Sequence, residues 1–435
     1  MHYSLRCTEC GADYSEGSNS FRLSCDAGHA PALLRAEYRV KDFLIDSREA
    51  GMYRYRNWLP IRRTYNDASG PVVYHGKNLG ARLQLDNLYI AFNGFNPEKG
   101  ADMETCSFKE LEALAVLGRT DDKTADCLVV ASAGNTGRSF LQIASKVHRR
   151  VCIVVPASAL SEMWITVPKS DKVLLVALEN ADYFDAIRLG DMIAGLPGFY
   201  PEGGAKNVAR RDGMGTVLLA AAEALGTLPE HYFQAVGSGT GGIAAWEMSK
   251  RLLATGRFGS TGMKLHLVQN LPFAIIHDAW SAGSRNLPSF NDEEAKEAIA
   301  RLWSPVLSNR KPPYGITGGV FDALKDTGGI TYALSSEKAR EAGRIFKNLE
   351  GCDLDPAAAV ALAGLMQARK MGRIKREDLI LLNITGGGNN HPFLTARKKT
   401  VEPDIIFRRL PGTEDELQAS MEGLLSGNRI PQALG

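Results

Sequence analysis

The chain runs to 435 residues, 44% of them hydrophobic and 23% charged, a balance that suits two folded domains and excludes a disordered chain. Its formal net charge is +2 and no long basic block occurs, so neither nucleic acid nor an anionic membrane is an expected partner. No apolar run reaches membrane-spanning length and the start MHYSLRCTEC lacks a signal-peptide core, which makes a cytoplasmic protein the expectation.

Residues 1–36 stand apart as a short, Gly- and Ser-bearing segment without helical periodicity. Cys7, Cys10, Cys25 and His29 follow the spacing C-x2-C-x14-C-x3-H, which suits a small tetrahedral zinc ribbon, with a metal-free knuckle as the alternative. Seven cysteines in a long chain without a secretion signal argue against disulfides. A connecting stretch over 37–85 carries the run MYRYRNWLPIRRT, whose Arg54, Arg56, Arg62 and Arg63 read as solvated. Strands and helices then alternate. LYIAF (88–92), CLVVA (127–131), VCIVVP (151–156) and KVLLVAL (172–178) are apolar throughout, and 136–148 and 216–225 are helical between and after them. HYFQAV (231–236), KLHLVQN (264–270) and DLILLNI (378–384) continue the pattern, with helices over 335–349 and 356–372. Continuous apolar strands alternating with helices predict an α/β fold of parallel sheets covered on both faces.

In such sheets ligands bind beyond the C-terminal strand ends, and Gly-rich loops lie there. GSGTGG, Gly237 to Gly242, joins a strand to a helix; its backbone amides and the helix dipole suit a phosphate, and a plain strand–helix turn is the other reading. SAGNTG, Ser132 to Gly137, supplies hydroxyls, an amide and backbone donors for a carboxylate, or else simply caps the next helix. Lys109 in TCSFKELEALAVL and Thr385 at the end of LILLNI would each, alone, pass for a surface lysine and a structural threonine.

Their order changes the weighing. Ser-Phe-Lys, then SAGNTG, then GSGTGG, then a late strand-end Thr resembles the fold-type II pyridoxal-phosphate family, the tryptophan synthase β-like group that includes threonine synthase, cysteine synthase and the serine and threonine dehydratases. GCDLDPAAAVALAGL (351–365) looks like the same family's Pro-Ala segment. The resemblance implies two parallel-sheet α/β domains with the cofactor in the cleft: a larger one of 37–99 with 199–435, a smaller one of 100–198, and the knuckle of 1–36 in front. It implies that Lys109 bonds to the cofactor aldehyde and that Asn135 meets the ring 3-oxygen. Gly237, Ser238, Gly239, Thr240 and Gly241 would hold the phosphate, and Thr385 the pyridine nitrogen. Ser132, Gly134 and Thr136 would take the substrate carboxylate.

KNVARRDGMGT (206–216) resembles the region of threonine synthases that meets a substrate phosphate, which implies Asn207, Arg210 and Arg211 as substrate ligands, helped by Lys206 and Arg138. Upstream, NPEKGADMETCSFKELEA departs from the usual threonine synthase run: Glu110 replaces an Asp and no Arg follows. That segment looks like the branch of the threonine synthase family that makes L-cysteate for coenzyme M from O-phospho-L-serine and sulfite, a transferase reaction. Threonine synthase itself, acting on O-phosphohomoserine, and a dehydratase or ammonia-lyase remain the alternatives. The family usually assembles from identical subunits, as a dimer or trimer.

Overall fold

The computed structural model describes residues 2–17, 21–120, 126–132 and 134–425, with side chains to residue 421. The expected knuckle (1–36), smaller domain (100–198) and larger domain (199–435) therefore each include residues outside the described ones. Two compact units emerge from the contacts: Met1–Arg119 with Gly204–His391, and Thr120–Gly203 with Pro392–Gly435.

The first unit opens with a small antiparallel sheet in the order Asp13–Tyr14, Tyr3–Cys7, Leu34–Tyr38. Its main sheet has six strands, in the order Ile330–Leu334, Lys264–Asn270, His231–Ala235, Leu379–Ile384, Asn87–Phe92, Val72–His75. All pairings in it are parallel except the last, where Val72–His75 runs antiparallel at the edge. LILLNI is apolar in nearly every position because helices cover both faces, leaving no solvent side to mark with polar residues. Helix Pro356–Lys370 starts where Asp355 caps its first turn and Pro356 fixes φ, and it buries Leu362 and Leu365 with Phe233, Val268 and Ile380.

The second unit holds a five-stranded parallel sheet in the order Phe199–Pro201, Cys127–Ala131, Val151–Pro156, Val173–Leu178, Ile405–Phe407. Val154, Val176, Leu189, Ile193, Phe407 and Leu417 form its core.

The division differs from the expected bounds at three places, the smallest being residues 199–203, which fall in the second unit. Residues 100–119 fall in the first unit, because helix Lys109–Arg119 packs along helix Val208–Leu225. Gly213 permits that approach: a Cβ there would lie 2.5 Å from Leu111 O and 2.7 Å from Ala115 Cβ. Residues from Pro392 onward fall in the second unit, because Ile405–Phe407 pairs in parallel with Val176–Leu178. Among the described residues no helix is long and apolar enough to cross a membrane.

Candidate active site

Lys109 is the first residue of helix Lys109–Arg119, and the segment before it is locked to the turn after strand Leu379–Ile384. Phe108 N donates to Thr385 O at 2.9 Å, Gly387 N donates to Cys106 O at 3.2 Å, and Ser107 bridges Gly386 antiparallel. Gly386 is needed there, since a Cβ would come within 2.5 Å of Cys106 O. Glu110 braces the same segment from behind. Its carboxylate, buried, accepts from Thr105 N at 3.1 Å, Thr105 Oγ1 at 2.7 Å and Ser69 Oγ at 2.6 Å. Cys106 between them adopts φ +55°, a left-handed conformation that an L-residue keeps only where its surroundings impose it. The structure thus brings two of the expected residues, Lys109 and Thr385, to one place.

The Lys109 amine meets a group that the motifs did not single out. Its Nζ lies 2.9 Å from Glu112 Oε2, 3.7 Å from Met214 Sδ and 4.9 Å from the centre of the Phe108 ring. Glu112 is fully buried, and Arg210 Nη1 stands 2.9 Å from its other oxygen, charge-paired but not aligned as a hydrogen bond. Glu112 lies three residues beyond Lys109, a spacing that places both on one helix face, and that was the signal available in the sequence.

The turn Gly237–Gly241 ends strand His231–Ala235 and starts the fifteen-residue helix Thr240–Ala254. Each glycine in it is boxed in from behind. A Cβ on Gly237 would sit 2.8 Å from Val306 O and 2.9 Å from Leu307 Cα; one on Gly239, at φ +78°, would strike Val320 Cγ2; one on Gly241 would strike Gln234 Nε2. Ser238 Oγ and Thr240 Oγ1 lie 2.8 Å apart, and Thr240 N donates to Ser238 Oγ at 3.3 Å. A turn that excludes side chains and leads into a helix N-terminus fits the phosphate of a cofactor, because backbone amides are then the donors offered. A merely connecting turn needs no such exclusion at three alternate positions.

In the second unit, Asn135 begins helix Asn135–Lys146 and its Oδ1 accepts from Arg138 Nη2 at 2.5 Å. Arg138 is buried under Trp164, 4.7 Å from the ring centre, and also meets Glu162 at 3.1 Å, so it is a supporting residue for Asn135 and no solvated cation. Ser132 Oγ accepts from Gly137 N at 2.8 Å and Gly134 N at 3.2 Å, which is the capping use of that loop. Thr136 is half-buried beside it.

The 206–211 segment divides against expectation. Asn207, fully buried, caps helix Val208–Leu225 by accepting from Ala209 N at 3.0 Å, and its Oδ1 also accepts from Arg119 Nη1 at 2.7 Å. Arg211, also fully buried, places Nε 2.9 Å from Glu247 and gives its remaining nitrogens to Ala205 O and Leu34 O. Both were expected to bind substrate phosphate; all three nitrogens of Arg211 are already engaged within the protein, while of Asn207 the amide oxygen is engaged. Arg210 alone points to the lysine. Arg54 and Arg56, expected to be solvated, are half-buried and paired with Glu223 and Glu49. Cys106 is wholly buried.

At the chain's start, Cys7, Cys10, Cys25 and His29 present ligand atoms that all lie within 4.8 Å of one another. The pairs Cys7 Sγ–His29 Nε2 and Cys10 Sγ–Cys25 Sγ are 3.4 and 3.6 Å apart, near the edges of a zinc tetrahedron. His29 Nδ1 lies 2.7 Å from Ala30 O, and donating there leaves Nε2 as the ligating atom. The Tyr14 hydroxyl, 2.9 Å away, pulls the Cys25 thiol down to about 6, toward the thiolate a metal needs.

The protein-family comparison matches residues 73–386 to the pyridoxal-phosphate dependent enzymes. The chain is 48% identical over 423 residues to the cysteate synthase of Methanosphaerula palustris, covering 96% of each. It is 47% identical over 386 residues to the cysteate synthase of Methanosarcina acetivorans, covering 88% of this chain and 91% of that one. The chain belongs to the cysteate synthases, within the pyridoxal-phosphate dependent enzyme family. The family resemblance of the four ordered motifs is borne out, and threonine synthase and dehydratase activities are not favoured. Among solved structures, maize serine racemase is similar with a TM-score of 0.54 at 14% identity, covering 75% of this chain and 92% of that one. Processed threonine deaminase isoform 2 of Solanum lycopersicum gives 0.50 at 17% identity over 75% and 85%. These two show the fold, as expected from the sequence.

Proposed function

We propose that the chain makes L-cysteate and phosphate from O-phospho-L-serine and sulfite. The observation that carries this reading is the backbone lock of the Lys109 segment onto the turn at Thr385, in a member of this family. Lys109 is assigned the bond to the cofactor aldehyde, Gly237, Ser238, Gly239, Thr240 and Gly241 its phosphate, and Thr385 its pyridine nitrogen. Ser132, Gly134, Asn135 and Thr136 keep their expected roles on the strength of the resemblance. When bound, pyridoxal phosphate supplies an electron sink that makes the substrate's α-hydrogen acidic. The amine of Lys109 takes that proton as general base and returns it to the product. A neutral Thr385 hydroxyl puts no fixed charge on the ring nitrogen, an arrangement suited to prompt loss of a β-leaving group. Arg210 shares the Glu112 carboxylate with the amine, and with the exposed Lys206 it is assigned to the anions that leave and enter. Zinc in the four-ligand knuckle is assigned a structural role. A cytoplasmic assembly of identical subunits belongs to the same reading.

The test is phosphate release from O-phospho-L-serine with and without sulfite, with O-phosphohomoserine as comparator. Sulfite-dependent cysteate formation is expected; turnover of O-phosphohomoserine to threonine, or phosphate and pyruvate release indifferent to sulfite, would replace the reading.

A further inference from the structure

We propose that Glu112 is a positioning residue for Lys109: it receives the lysine amine whenever that amine is free and separates it from Arg210. The proposal rests on the reading of Lys109 as the cofactor-bearing base and deepens it. Glu112 is a fully buried carboxylate on the first turn of the helix that Lys109 begins, with one oxygen 2.9 Å from Lys109 Nζ and the other 2.9 Å from Arg210 Nη1. The two cations come from different helices and are themselves sheltered, with 19% and 11% of their side chains exposed. Without the carboxylate, an ammonium and a guanidinium would face each other with little water between them, a costly like-charge arrangement.

The charge count fits a working cycle. While the Lys109 nitrogen is engaged with the cofactor, Glu112 and Arg210 balance one to one. When substrate displaces the lysine, a free amine appears and then accepts the α-proton: the Cα–H bond breaks, an N–H bond forms, and one positive charge arrives on Nζ. Glu112 is already oriented to carry the opposing charge, because Arg210 attracts its far oxygen by charge and Gly213, one turn further along the Arg210 helix, lets the two helices pack backbone to side chain. The amine is thereby kept on one face of its helix and does not swing toward other acceptors.

The experiment compares wild type with Glu112→Gln, which keeps the shape and removes the charge. Four readings are taken on each protein: melting temperature, visible absorbance of the lysine-bound cofactor, KM and kcat for O-phospho-L-serine, and the kinetic isotope effect with α-deuterated substrate. The expected result is an intact absorbance band, KM within about twofold, kcat lower by about 10²-fold, and an isotope effect larger than in wild type because proton removal has become limiting. An unchanged kcat, or a loss confined to melting temperature and cofactor content with the isotope effect unmoved, would show that Glu112 only packs against Arg210. Should Glu112→Gln fail to fold, Glu112→Asp is read the same way, with kcat falling at constant KM. A Lys109→Ala protein run in parallel separates the two ideas: if it keeps the band, the Lys109 reading fails and this proposal goes with it; if it loses the band, the Glu112 result stands on its own.

Discussion

Gly239 and Arg211 show how differently two site residues of the same chain yield to their surroundings. Gly239 combines φ +78° with a Val320 methyl where its Cβ would go, so Gly239→Ala is expected to cost about 2 kcal/mol of stability and to weaken binding of pyridoxal phosphate as the turn shifts. Gly226, at φ +70° with nothing within 4 Å, is the control: Gly226→Ala should cost about 1 kcal/mol and leave cofactor titration unchanged. Denaturant melts of the cofactor-free proteins and a cofactor titration of each would decide it. Arg211→Met is predicted to destabilise by about 2–3 kcal/mol, because buried Glu247 keeps Arg35 at 3.1 Å but loses its second guanidinium and two carbonyls lose their donors, with KM for O-phospho-L-serine unchanged in whatever protein folds. A raised KM without lost stability would return Arg211 to the substrate site. At this scale the sequence was legible where chemistry forces a residue type, as with the alternate glycines Gly237, Gly239 and Gly241 around a helix start. It was opaque where a basic run was split by helix rotation: Asn207, Arg210 and Arg211 are near neighbours in sequence, yet one caps a helix, one faces the lysine and one is spent on Glu247 and two carbonyls.

Elements were read most faithfully where burial on both faces left an unbroken apolar run, so 151–156 and 264–270 coincide with the strands observed. The short strands Phe199–Pro201 and Ile405–Phe407 carry too few residues for any period to show, and their existence depends on partners elsewhere in the chain. Residues 100–119 were assigned to the smaller domain because nothing local marks which partner a helix will choose. The N-terminal knuckle is an element whose parts were visible and whose attachment was not. Thr8 Oγ1 donates to Leu33 O at 2.8 Å and Thr317 O at 3.2 Å, and Thr317 Oγ1 donates to Glu9 at 2.6 Å. Glu16 also pairs with buried Arg119, over which Phe21 stacks at 4.5 Å. The ligand loop is thus fastened to the rest of its unit, and its metal should hold more than itself. One zinc per chain is expected by elemental analysis, and chelation or Cys10→Ser should lower the melting temperature and open residues 2–38 to protease. A chain that purifies without metal, or whose melting ignores the chelator, would leave a metal-free knuckle.

Across the molecule, acid sensitivity should come from a place remote from the chemistry. His231 and His266 stand in the N-terminal halves of parallel strands, the first of which leads at its other end into the glycine turn. They form a buried chain: Asp378 to His231 Nε2 at 3.1 Å, His231 Nδ1 to His266 Nε2 at 2.9 Å, and His266 Nδ1 to the Tyr332 hydroxyl at 2.9 Å. Burial pushes the His266 imidazole down to about 2 and lowers His231 as well. His266 is therefore neutral in the fold, and His231 resists protonation there, while in the unfolded chain each regains the ordinary value of 6.5. Above that pH neither state takes up the proton, and the chain of rings adds no pH dependence. Below it the unfolded state binds protons that the fold refuses, so stability is lost as pH falls, by up to about 1.4 kcal/mol per pH unit for each such imidazole. His266→Gln retains a donor and an acceptor for its two neighbours and removes one of those protonations. Its melting temperature should be lower than wild type at neutral pH yet fall less steeply between about pH 6 and 4, where the unfolded imidazole charges. Parallel slopes would mean that His266 does not set the acid limit, and that the carboxylates of the chain do. Because the glycine turn lies at the opposite end of the His231 strand, the visible absorbance of bound cofactor at neutral pH should survive the substitution, which separates a loss of fold from a loss of site.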